Sequence, residues 1–571
     1  MTNYNIFGIF NIPIALCILS GCIEKSKDIT TEINHILIKD VTMTSAIDFT
    51  HKQSKYFDKY FPNISRYMSS TSSAVAVADV NNDGWQDIFL TNDTGKHALY
   101  INLKNGKFKN QFSISGITTG DVDNVLRPIF FDFDNDGLKD LFLGTNKRYY
   151  LYKNMNGIFF KDVTARLGLA QENLLIIAAN VIDYNKDGYL DLVVSGYFKE
   201  VDRTKNSRFM PTTFNGAENG GPVYFYKNEG GKKFVKQKDA LGIPGGGWTL
   251  AIGVYDLNYD GYDDLWFATD FNTDRVYENV KGKSFKDISK SLEHSFSNNG
   301  MSAEIAEIDD DGQPVIFVSQ IYQEGIETDG NTLFKRNKQG RYIDQAKKRG
   351  VDKCGWAWGA KFIDLDNNSK LDIIVNNGYF SGDPQKNLWF KISTLGSAGK
   401  GFLEDAKNWP DLNDVTWGGH QTKCIFYNTG KKFIDISKNS PLGKNRGDGR
   451  SVAAIDFRNN GYQSILMTMQ NGKTSLYEVS NKRKANWIGF TAIGKKSGTD
   501  AFGTKIRIQL KDRVLVRAKH PTNGFLTQSD ERIHFGLGRN EKIQKVSITW
   551  PSGKIVELKK YQLNRYNMLY E

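Results

Sequence analysis

The sequence predicts an all-β protein, a seven-bladed β-propeller followed by a small C-terminal β domain. Three observations support this prediction: an Asp-rich motif recurs along the chain, short alternating apolar runs surround each copy, and aromatic residues and glycines are abundant. Aromatic residues make up 13% of the 571 positions, and there are 54 glycines. This composition is typical of proteins with many short strands and many turns.

The Asp-rich motif has the form D-x-[DN]-x-D-G-x-x-D, and its clearest copy spans residues 132–140. The first positions of its copies are residues 79, 132, 183, 256, 307, 364 and 456, which gives steps of 53, 51, 73, 51, 57 and 92 residues. A repeat of this length indicates a propeller or a solenoid. The longer steps indicate insertions over residues 200–222 and 379–421.

Each copy has the same surroundings. An alternating apolar run precedes the motif, a second β-type run follows it, a third contains Tyr and Asn, and a fourth has the pattern Phe-x-Asp-Val/Ile-Thr/Ser. Four short strands per repeat describe a propeller blade. Residues 39–42 match the fourth strand but precede the first motif. We therefore expect them to complete the last blade and close the ring.

Oxygen ligands at motif positions 1, 3, 5 and 9 converge when the loop turns at its glycine, which predicts Ca²⁺ as a structural cofactor. The expected ligands are Asp79, Asn81, Asp83, Asp87, Asp132, Asp134, Asp136, Asp140, Asp183, Asn185, Asp187, Asp191, Asp256, Asn258, Asp260, Asp264, Asp364, Asp366, Asn368 and Asp372. The alternative for each copy is an ordinary Asn/Asp/Gly turn without metal.

Two features refine the calcium prediction. Position 12, where an EF-hand needs a bidentate Glu, is occupied by Leu90, Leu143, Val194, Phe267 and Val375. An EF-hand is therefore excluded, and the loops are expected to join two strands. The copies at 307–315 and 456–464 have lost ligands to residues such as Val315 and Arg458, and the sequence leaves open whether they bind metal.

The N-terminus predicts export. Residues 1–21 carry no charged side chain, and Leu19-Ser20-Gly21-Cys22 resembles the lipobox of bacterial lipoprotein signal peptides. We expect a signal peptide over 1–21, lipidation of Cys22, a linker over 22–37, and a cell-envelope lipoprotein held at the outer membrane, facing the periplasm or the surface. The segment departs from the usual pattern in lacking Lys or Arg at its start, and a buried apolar strand is the alternative.

Charge and cysteine content leave several partners open. The net charge of +11 suits an anionic polysaccharide or a membrane surface, and no nucleic-acid fold signature is present, so nucleic acid is not expected as a partner. Apart from Cys17 and Cys22, the chain has Cys354 and Cys424. In an oxidising compartment these two either pair or remain separate buried thiols.

Further segments carry a family resemblance. The Asp-rich repeats resemble the FG-GAP/VCBS repeats of integrin α chains. Residues 47–51, 355–364, 498–506, 526–530, 532–538 and 546–553 resemble segments of proteins with an ASPIC/UnbV domain, the cartilage acidic protein-like family. This resemblance implies a propeller over 38–481 and an ASPIC/UnbV domain over 482–571. The chain is basic where the family's name-giving member is acidic, and the resemblance implies no defined biochemical activity.

The sequence favours a binding protein over an enzyme. It has no H-E-x-x-H, G-x-S-x-G, Walker or C-x-x-C motif, and its seven His residues lack metal-ligand spacing. Asp530, Arg532 and His534 lie on one face of a predicted strand, where a salt-bridged structural role is preferred to a catalytic one.

The two insertions are the candidate recognition elements. The second contains Trp389, Trp409 and Trp417, which we expect to be exposed ligand-binding aromatics, although packing onto the propeller is the alternative. The first contains Arg203, Lys205, Arg208 and Phe209.

We therefore expect a calcium-binding, envelope-anchored adhesion or binding protein that recognises a protein or a polysaccharide through these elements. A propeller-based carbohydrate-active lyase or hydrolase is the main alternative. An oxidative or biosynthetic accessory role is a weaker one.

Overall fold

A computed structural model describes residues 33–119, 125–169, 175–199, 202–293, 299–395 and 401–571. The signal-peptide and Cys22 predictions lie outside these residues. Ile36–Glu571 form one compact unit. Within the described segments, each helix is too short or too polar to cross a membrane.

The described residues contain seven sheets, each with four neighbouring strands that pair in an antiparallel manner. In six of them the four strands are also consecutive in the ring's repeat, and sheet 7 takes its outer strand from the N-terminus. Sheets 1 to 3 comprise Val75–Ala78, Asp87–Leu90, Ala98–Asn102 and Phe108–Asn110; Val125–Phe131, Asp140–Thr145, Tyr149–Asn154 and Phe160–Asp162; and Ile176–Ile182, Asp191–Gly196, Val223–Asn228 and Phe234–Lys236. Sheets 4 and 5 comprise Trp248–Tyr255, Asp264–Asp270, Arg275–Asn279 and Phe285–Asp287; and Ser302–Glu307, Pro314–Ser319, Thr332–Arg336 and Tyr342–Asp344. Sheets 6 and 7 comprise Ala357–Ile363, Asp372–Asn377, Cys424–Asn428 and Phe433–Asp435; and Gly449–Ile455, Ser464–Met469, Ser475–Asn481 and Ile36–Asp40.

The first strands of the sheets form a ring. Each packs against the first strand of the next sheet, from sheet 1 through sheet 7 and back to sheet 1. These strands are apolar and almost wholly buried because neighbouring sheets cover both of their faces. The predicted all-β propeller fold is confirmed.

The N-terminal strand closes the ring. Ile36–Asp40 pairs antiparallel with Ser475–Asn481, for example Leu37 with Ser480, and so forms the outer strand of sheet 7. The strand begins two residues before the predicted start of the propeller at 38. Because this strand comes from the N-terminal end of the propeller sequence, its pairing joins the first and last parts of the ring.

The C-terminal part adds two sheets and a separate core. The strands Ile533–Gly538, Asn486–Ile493 and Tyr566–Tyr570 form one sheet. The other contains Val514–Ala518, Lys505–Gln509, Lys545–Thr549 and Ile555–Glu557. Apolar side chains from both sheets pack between them.

Residues 521–530 of the C-terminal part, here called the channel segment, enter the centre of the ring. Thr527–Gln528 pairs in parallel with Val75–Ala76 of sheet 1. The Phe130 amide donates to Gln528 Oε1 at 2.7 Å, and the Val254 amide donates to Asn523 Oδ1 at 3.0 Å. The channel segment fills the centre of the propeller and joins its C-terminal part to several sheets at once.

Short helices lie in the connections. The α-helices are Ser65–Met68, Ala346–Arg349, Trp389–Leu395 and Pro441–Lys444, and the 3₁₀ helices are Phe112–Ile114, Lys238–Gly242, Ser289–Ser291, Ala406–Asn408 and Ser437–Asn439. Within the second insertion, Asp383–Asn387 pairs in parallel with Val415–Thr416.

Candidate functional sites

The Asp-rich loops share one backbone geometry. In loop 2, which begins at Asp132, the carboxylate at position 1 accepts the amides of Asp136 and Gly137 at 3.1 and 2.7 Å. Position 6 has a left-handed φ, +89° at Gly137, which explains the Gly of the motif. Ser369 adopts φ +76° at the same position of the loop that lacks this Gly.

The aspartate at position 9 of the motif stabilises the hairpin by accepting two backbone amides. Asp87 Oδ2 accepts the Val80 amide at 3.1 Å and its Oδ1 accepts the Asn102 amide at 2.8 Å. The same pair of bonds is made by Asp140, Asp191, Asp264 and Asp372. Burial raises the pKa of Asp140 to about 9. Position 9 therefore has a structural role in addition to the predicted one as a ligand.

An asparagine at the end of the third strand joins neighbouring sheets. The Asn154 side-chain amide donates to the Val80 carbonyl of the preceding sheet at 2.9 Å. Equivalent bonds are made by Asn102, Asn228 and Asn279 to Phe457, Phe133 and Tyr184. Sequence reasoning found this Asn in the repeat but missed its role, because its partner lies in another repeat.

The donor sets of the better-preserved loops fit a cation. Carboxylate oxygens of Asp132, Asp134 and Asp136 lie within 4.8 Å of one another, the one such group of three His, Cys, Asp or Glu residues in the described chain. Asp134 Oδ1 and Asp256 Oδ1 are buried acceptors without a hydrogen-bond partner among the described residues. Hard carboxylate oxygens in this arrangement suit Ca²⁺.

Lysines compete for some of these carboxylates. The Lys153 ammonium bonds Asp134 and Asp136, and the Lys505 ammonium of the C-terminal part lies 2.7 Å from Asp256 Oδ2. These lysines would have to withdraw for a divalent cation to bind with full coordination.

The two degraded loops, loop 5 at residues 307–315 and loop 7 at residues 456–464, keep the turn but have an incomplete donor set. In loop 7, Asp456 still accepts the Asn460 and Gly461 amides at 3.0 and 2.7 Å. In loop 5, Lys335 bridges Asp309 and Asp311, each at 2.7 Å. The hydrogen bonds of loop 7 therefore maintain its backbone turn although some of the oxygen ligands that a metal would use are missing.

The C-terminal part covers the loop end of the propeller. Thr499 Oγ1 donates to Asp132 Oδ2 at 2.6 Å, and the Tyr566 hydroxyl donates to Asp456 Oδ2 at 3.0 Å. Glu531 is buried between Lys139 of sheet 2 and Lys519, at 2.7 and 3.1 Å. These two ammonium groups hold the pKa of Glu531 down, at about 2.

The residues Asp530, Arg532 and His534 belong to this interface. Arg532 pairs with Asp530 at 2.6 Å and also donates to Asn459 Oδ1 at 2.6 Å. His534 is buried and stacks on Trp487 at 5.6 Å. The preferred structural role is therefore supported by the contacts of these side chains.

A pocket lined by aromatic side chains lies at the other end of the hairpins. Asp loops join the end of each first strand to the start of the second, whereas Trp248, Met301 and Trp356–Trp358 lie at or beside first-strand starts. Asp270 and Tyr379 lie at second-strand ends. These residues therefore lie at the end of the ring opposite to the Asp loops.

The aromatic pocket has a volume of about 90 Å³. It is lined by Tyr67, Thr71, Tyr197, Phe198, Phe214, Asp270, Phe271, Asn299, Met301, Ile321, Glu327, Trp356, Trp358, Tyr379, Trp389, Ile392, Trp409 and Trp417. Both insertions contribute to it, and Phe525 at the tip of the channel segment packs against Trp358 at 4.9 Å.

The three tryptophans predicted to bind ligand all line this pocket, but the expectation that they are exposed is wrong. Trp389, Trp409 and Trp417 are 8%, 3% and 6% exposed. They are buried because the insertion folds back over the centre of the ring, where Trp417 meets Trp356 at 4.8 Å and 85°. The aromatic side chains both pack the insertion and leave a cavity between them.

The first insertion supports the second. Phe209 is fully buried, and the Met210 amide donates to the Glu404 carbonyl at 3.1 Å. Arg203 is buried with its guanidinium 5.5 Å from the Phe198 ring, Arg208 forms a backbone bridge to Asp405, and Lys205 stays exposed. These four residues do not line the pocket.

A few residues that line the pocket carry buried polar groups. The indole nitrogens of Trp356 and Trp417 are buried donors without a partner within the described residues. The Tyr197 hydroxyl donates to Asp270 Oδ2 at 2.6 Å and lies 3.2 Å from the Tyr67 hydroxyl. Burial raises the pKa of Asp270 to about 7 and also raises the pKa of Glu327.

A disulfide ties the edges of the pocket together. Cys354 precedes Trp356, Cys424 follows the second insertion, and the two sulfurs are bonded. Of the two states that the sequence left open, the structure shows the paired one. The bond joins the segment before the first strand of sheet 6 to the start of the third strand, which follows the insertion.

Comparisons with known proteins agree with this architecture. A family model described as FG-GAP-like repeat matches residues 79–143, 132–194 and 256–318, and one described as ASPIC and UnbV matches residues 494–571. Cartilage acidic protein 1 of Xenopus tropicalis is 23% identical over 254 residues, which covers 39% of this chain and 38% of the relative. The human protein is 24% identical over 255 residues, covering 40% of this chain and 38% of its own length. The match thus covers well under half of the length of these relatives.

Two solved structures are similar at low identity. One is a lectin of Agrocybe aegerita that recognises non-reducing terminal N-acetylglucosamine, with 15% identity, a TM-score of 0.38, and coverage of 72% of this chain and 86% of that chain. The other is an exotype rhamnogalacturonan lyase, with 13% identity, a TM-score of 0.33, and coverage of 71% and 72%. On the family matches, the protein has FG-GAP-like repeats followed by an ASPIC and UnbV domain, with distant homology to cartilage acidic protein 1.

Proposed function

We propose that the protein is an exported binding protein that takes the terminal unit of a polysaccharide into the aromatic pocket. The observation that carries this proposal is the pair of buried indole N–H donors, from Trp356 and Trp417, in a cavity walled by aromatic rings. A buried donor without an acceptor is unfavourable by about 1–3 kcal/mol, so a ligand oxygen that accepts from it gains affinity.

The pocket chemistry suits one sugar ring. Aromatic faces pack against the apolar face of such a ring, while the indole donors and the Asp270 carboxyl can bond its hydroxyls. The cavity of about 90 Å³ is small beside the roughly 300–1,000 Å³ clefts that hold drug-sized ligands. A terminal unit therefore fits better than an internal stretch of chain.

The test is a titration of the full-length protein with oligosaccharides, followed by calorimetry. Trp417→Phe keeps an aromatic ring and removes the donor, so we expect a tenfold or greater loss of affinity. The matched control is Trp248→Phe, because Trp248 also has a buried, unpartnered indole nitrogen in the same aromatic cluster but does not line the pocket. Equal affinities of the two variants would contradict the proposal.

Calcium is proposed as the structural cofactor of the Asp loops. The unpartnered oxygens Asp134 Oδ1 and Asp256 Oδ1 support this role, together with the grouping of Asp132, Asp134 and Asp136. When bound, the ion supplies positive charge that offsets the repulsion of clustered carboxylates. Its chemistry would be structural, because the loops lie at the end of the ring away from the aromatic pocket.

Attachment to the cell envelope through a lipid on Cys22 is also proposed, from the lipobox-like segment alone. Such an anchor would present the binding pocket at a membrane surface and suits a role in adhesion. Mass spectrometry of the protein from its native membrane would show a lipid-modified N-terminal Cys22. A protein that retains residues 1–21 and carries no lipid would contradict this part.

A carbohydrate-active hydrolase or lyase is the second candidate. It is favoured by one observation, the pKa of Asp270, which burial raises to about 7, because a carboxyl that is still protonated near neutral pH can act as a general acid. Asp270→Asn would then abolish turnover of a bound oligosaccharide. If the protein binds an oligosaccharide but forms no product over a long incubation, the enzymatic candidate is wrong and only the binding role stays.

A further inference from the structure

The aromatic pocket has an unusual charge balance for this protein. The lining residues include two carboxylates, Asp270 and Glu327, and within the described part of the chain they include no Lys, Arg or His. The whole chain has a net charge of +11. The two carboxyl groups on the described lining of the pocket are suited to a ligand that brings positive charge.

The lining of the pocket contains aromatic rings that contact one another at different angles. Trp356 lies 4.2 Å from Tyr379 at 30°, 5.4 Å from Trp389 at 36°, and 4.8 Å from Trp417 at 85°. Each ring face carries partial negative charge, and several faces around one space attract a cation more strongly than a neutral group.

The carboxylate completes this arrangement. Asp270 is buried at the pocket, where Tyr197 donates to one of its oxygens. The attraction between an ionised carboxylate and a cation is stronger in such a buried site than in water.

We propose that the group which enters the aromatic pocket is a cationic ammonium, presented by the ligand that the protein binds. This inference rests on the proposed function, because it takes the aromatic pocket as the binding site. The rings would surround the ammonium, Asp270 would balance its charge, and the indole N–H groups of Trp356 and Trp417 would bond oxygens of the unit that carries it. A primary ammonium of an amino sugar and a quaternary ammonium of a headgroup share this chemistry.

Two arginines near the pocket are already held by other groups. The Arg450 guanidinium lies 4.7 Å from the Trp358 ring and donates to the carbonyls of Ser70, Gly378 and Gly449. Arg66 lies 4.5 Å from the Phe380 ring and donates to the Val415 carbonyl at 3.2 Å. Neither lines the pocket, so neither takes the place of the ligand cation.

The experiment is a calorimetric titration of the full-length protein with charged probes and neutral partners of the same shape. Choline is paired with 3,3-dimethylbutanol, and glucosamine is paired with glucose. We expect at least one charged probe to bind tenfold or more tightly than its neutral partner. Whether choline or glucosamine shows the preference distinguishes a quaternary headgroup from an amino sugar.

Variants complete the test. Asp270→Asn should reduce the affinity for the charged probe at least tenfold, whereas Asp274→Asn should not, because Asp274 is equally buried nearby but lies outside the aromatic pocket. Circular dichroism and the melting temperature report whether each variant is folded, and Asp270→Glu should restore part of the affinity.

Two outcomes would overturn the inference. Equal affinity for charged and neutral probes would do so, and so would an unchanged affinity in folded Asp270→Asn. If neutral oligosaccharides bind and Trp417→Phe weakens them while neither ammonium probe binds, the proposed function stands and this inference fails. If no probe of either kind binds, both fail together.

Discussion

The two ends of the propeller hairpins differ in almost every respect. At the loop end, seven copies of one turn repeat around the described ring, and the C-terminal part covers them with paired charges such as Lys139 and Glu531. At the other end, two insertions break the repeat and surround a pocket of aromatic rings with few charges. Under the proposed function, the regular end would provide stability and the irregular end specificity, since binding residues concentrate on loops held by a rigid scaffold.

The largest expected effect on stability concerns the ion pairs of Glu531, where the C-terminal part covers the loop end of the propeller. Glu531→Gln removes the carboxylate that pairs with buried Lys519 and leaves Lys139 with Asp500 alone, so we expect the free energy of unfolding to fall by about 3–5 kcal/mol. Urea denaturation measures this change. Glu557→Gln is the control, because its ion pairs with Lys545 and Lys559 are exposed, and little change is expected there.

The same group predicts a pH dependence. The folded pKa of Glu531, at about 2, lies below its ordinary value of 4.5. Its contribution to stability is therefore present above pH 4.5 and is lost as the pH falls towards 2. Glu531→Gln should lack this component, and the two acid-denaturation curves should converge at low pH. Curves that stay parallel would contradict the ion-pair assignment.

The next effect concerns the disulfide at the pocket end. Replacing Cys354 and Cys424 together by Ala should lower the free energy of unfolding by about 2–4 kcal/mol, since the bond closes a long loop, and should weaken ligand binding as the insertion loosens. Denaturation and calorimetry measure the two effects. If stability falls but ligand binding is fully kept, the expectation that the disulfide supports the pocket is wrong.

The effect of Ca²⁺ on stability tests whether the Asp-rich loops bind metal. If Ca²⁺ binds only the folded protein, saturation at 100 times the Kd should add about 2.7 kcal/mol per site, seen as a higher melting temperature that chelation reverses. Asp134→Ala should remove one bound ion, as measured by metal analysis. Asp311→Ala in degraded loop 5 is the matched control and should leave the ion count unchanged.

The smallest effect is the pH dependence of ligand binding. Burial raises the pKa of Asp270 to about 7, and the titratable groups near it are Tyr67, Tyr197, Tyr379 and Glu327. Because the ionised carboxylate attracts an ammonium, choline affinity should rise about tenfold between pH 6 and 8, while choline keeps its charge throughout. Asp270→Asn should give a flat profile, and a wild-type profile that falls with pH would contradict the assignment.

Local sequence predicted much of the loop end. The spacing of carboxylates, the left-handed position that Gly137 fills, and the four-strand repeat all depend on neighbours within one segment. The closing strand was also predictable, because residues 39–42 carry the pattern of a fourth strand without the first three. Metal binding by these loops stays a prediction.

Features that join distant segments were missed. The Asn154 bond to Val80 spans 74 residues, and the Gln528 bonds to Phe130 span 398. The alternation that marks strands gives no information about which far segment supplies a partner. The burial of Trp389, Trp409 and Trp417 was missed for the same reason, because exposure depends on where an insertion folds.

The sequence by itself determined the repeat, its strands and its turns, because hydrogen bonds and backbone conformations within about ten residues decide them. Only the tertiary structure decided that the channel segment fills the ring, that Cys354 bonds Cys424, and that aromatic residues from both insertions enclose Asp270. Those arrangements depend on burial and charge pairing between segments far apart in the chain, and such interactions exist only once the ring has closed.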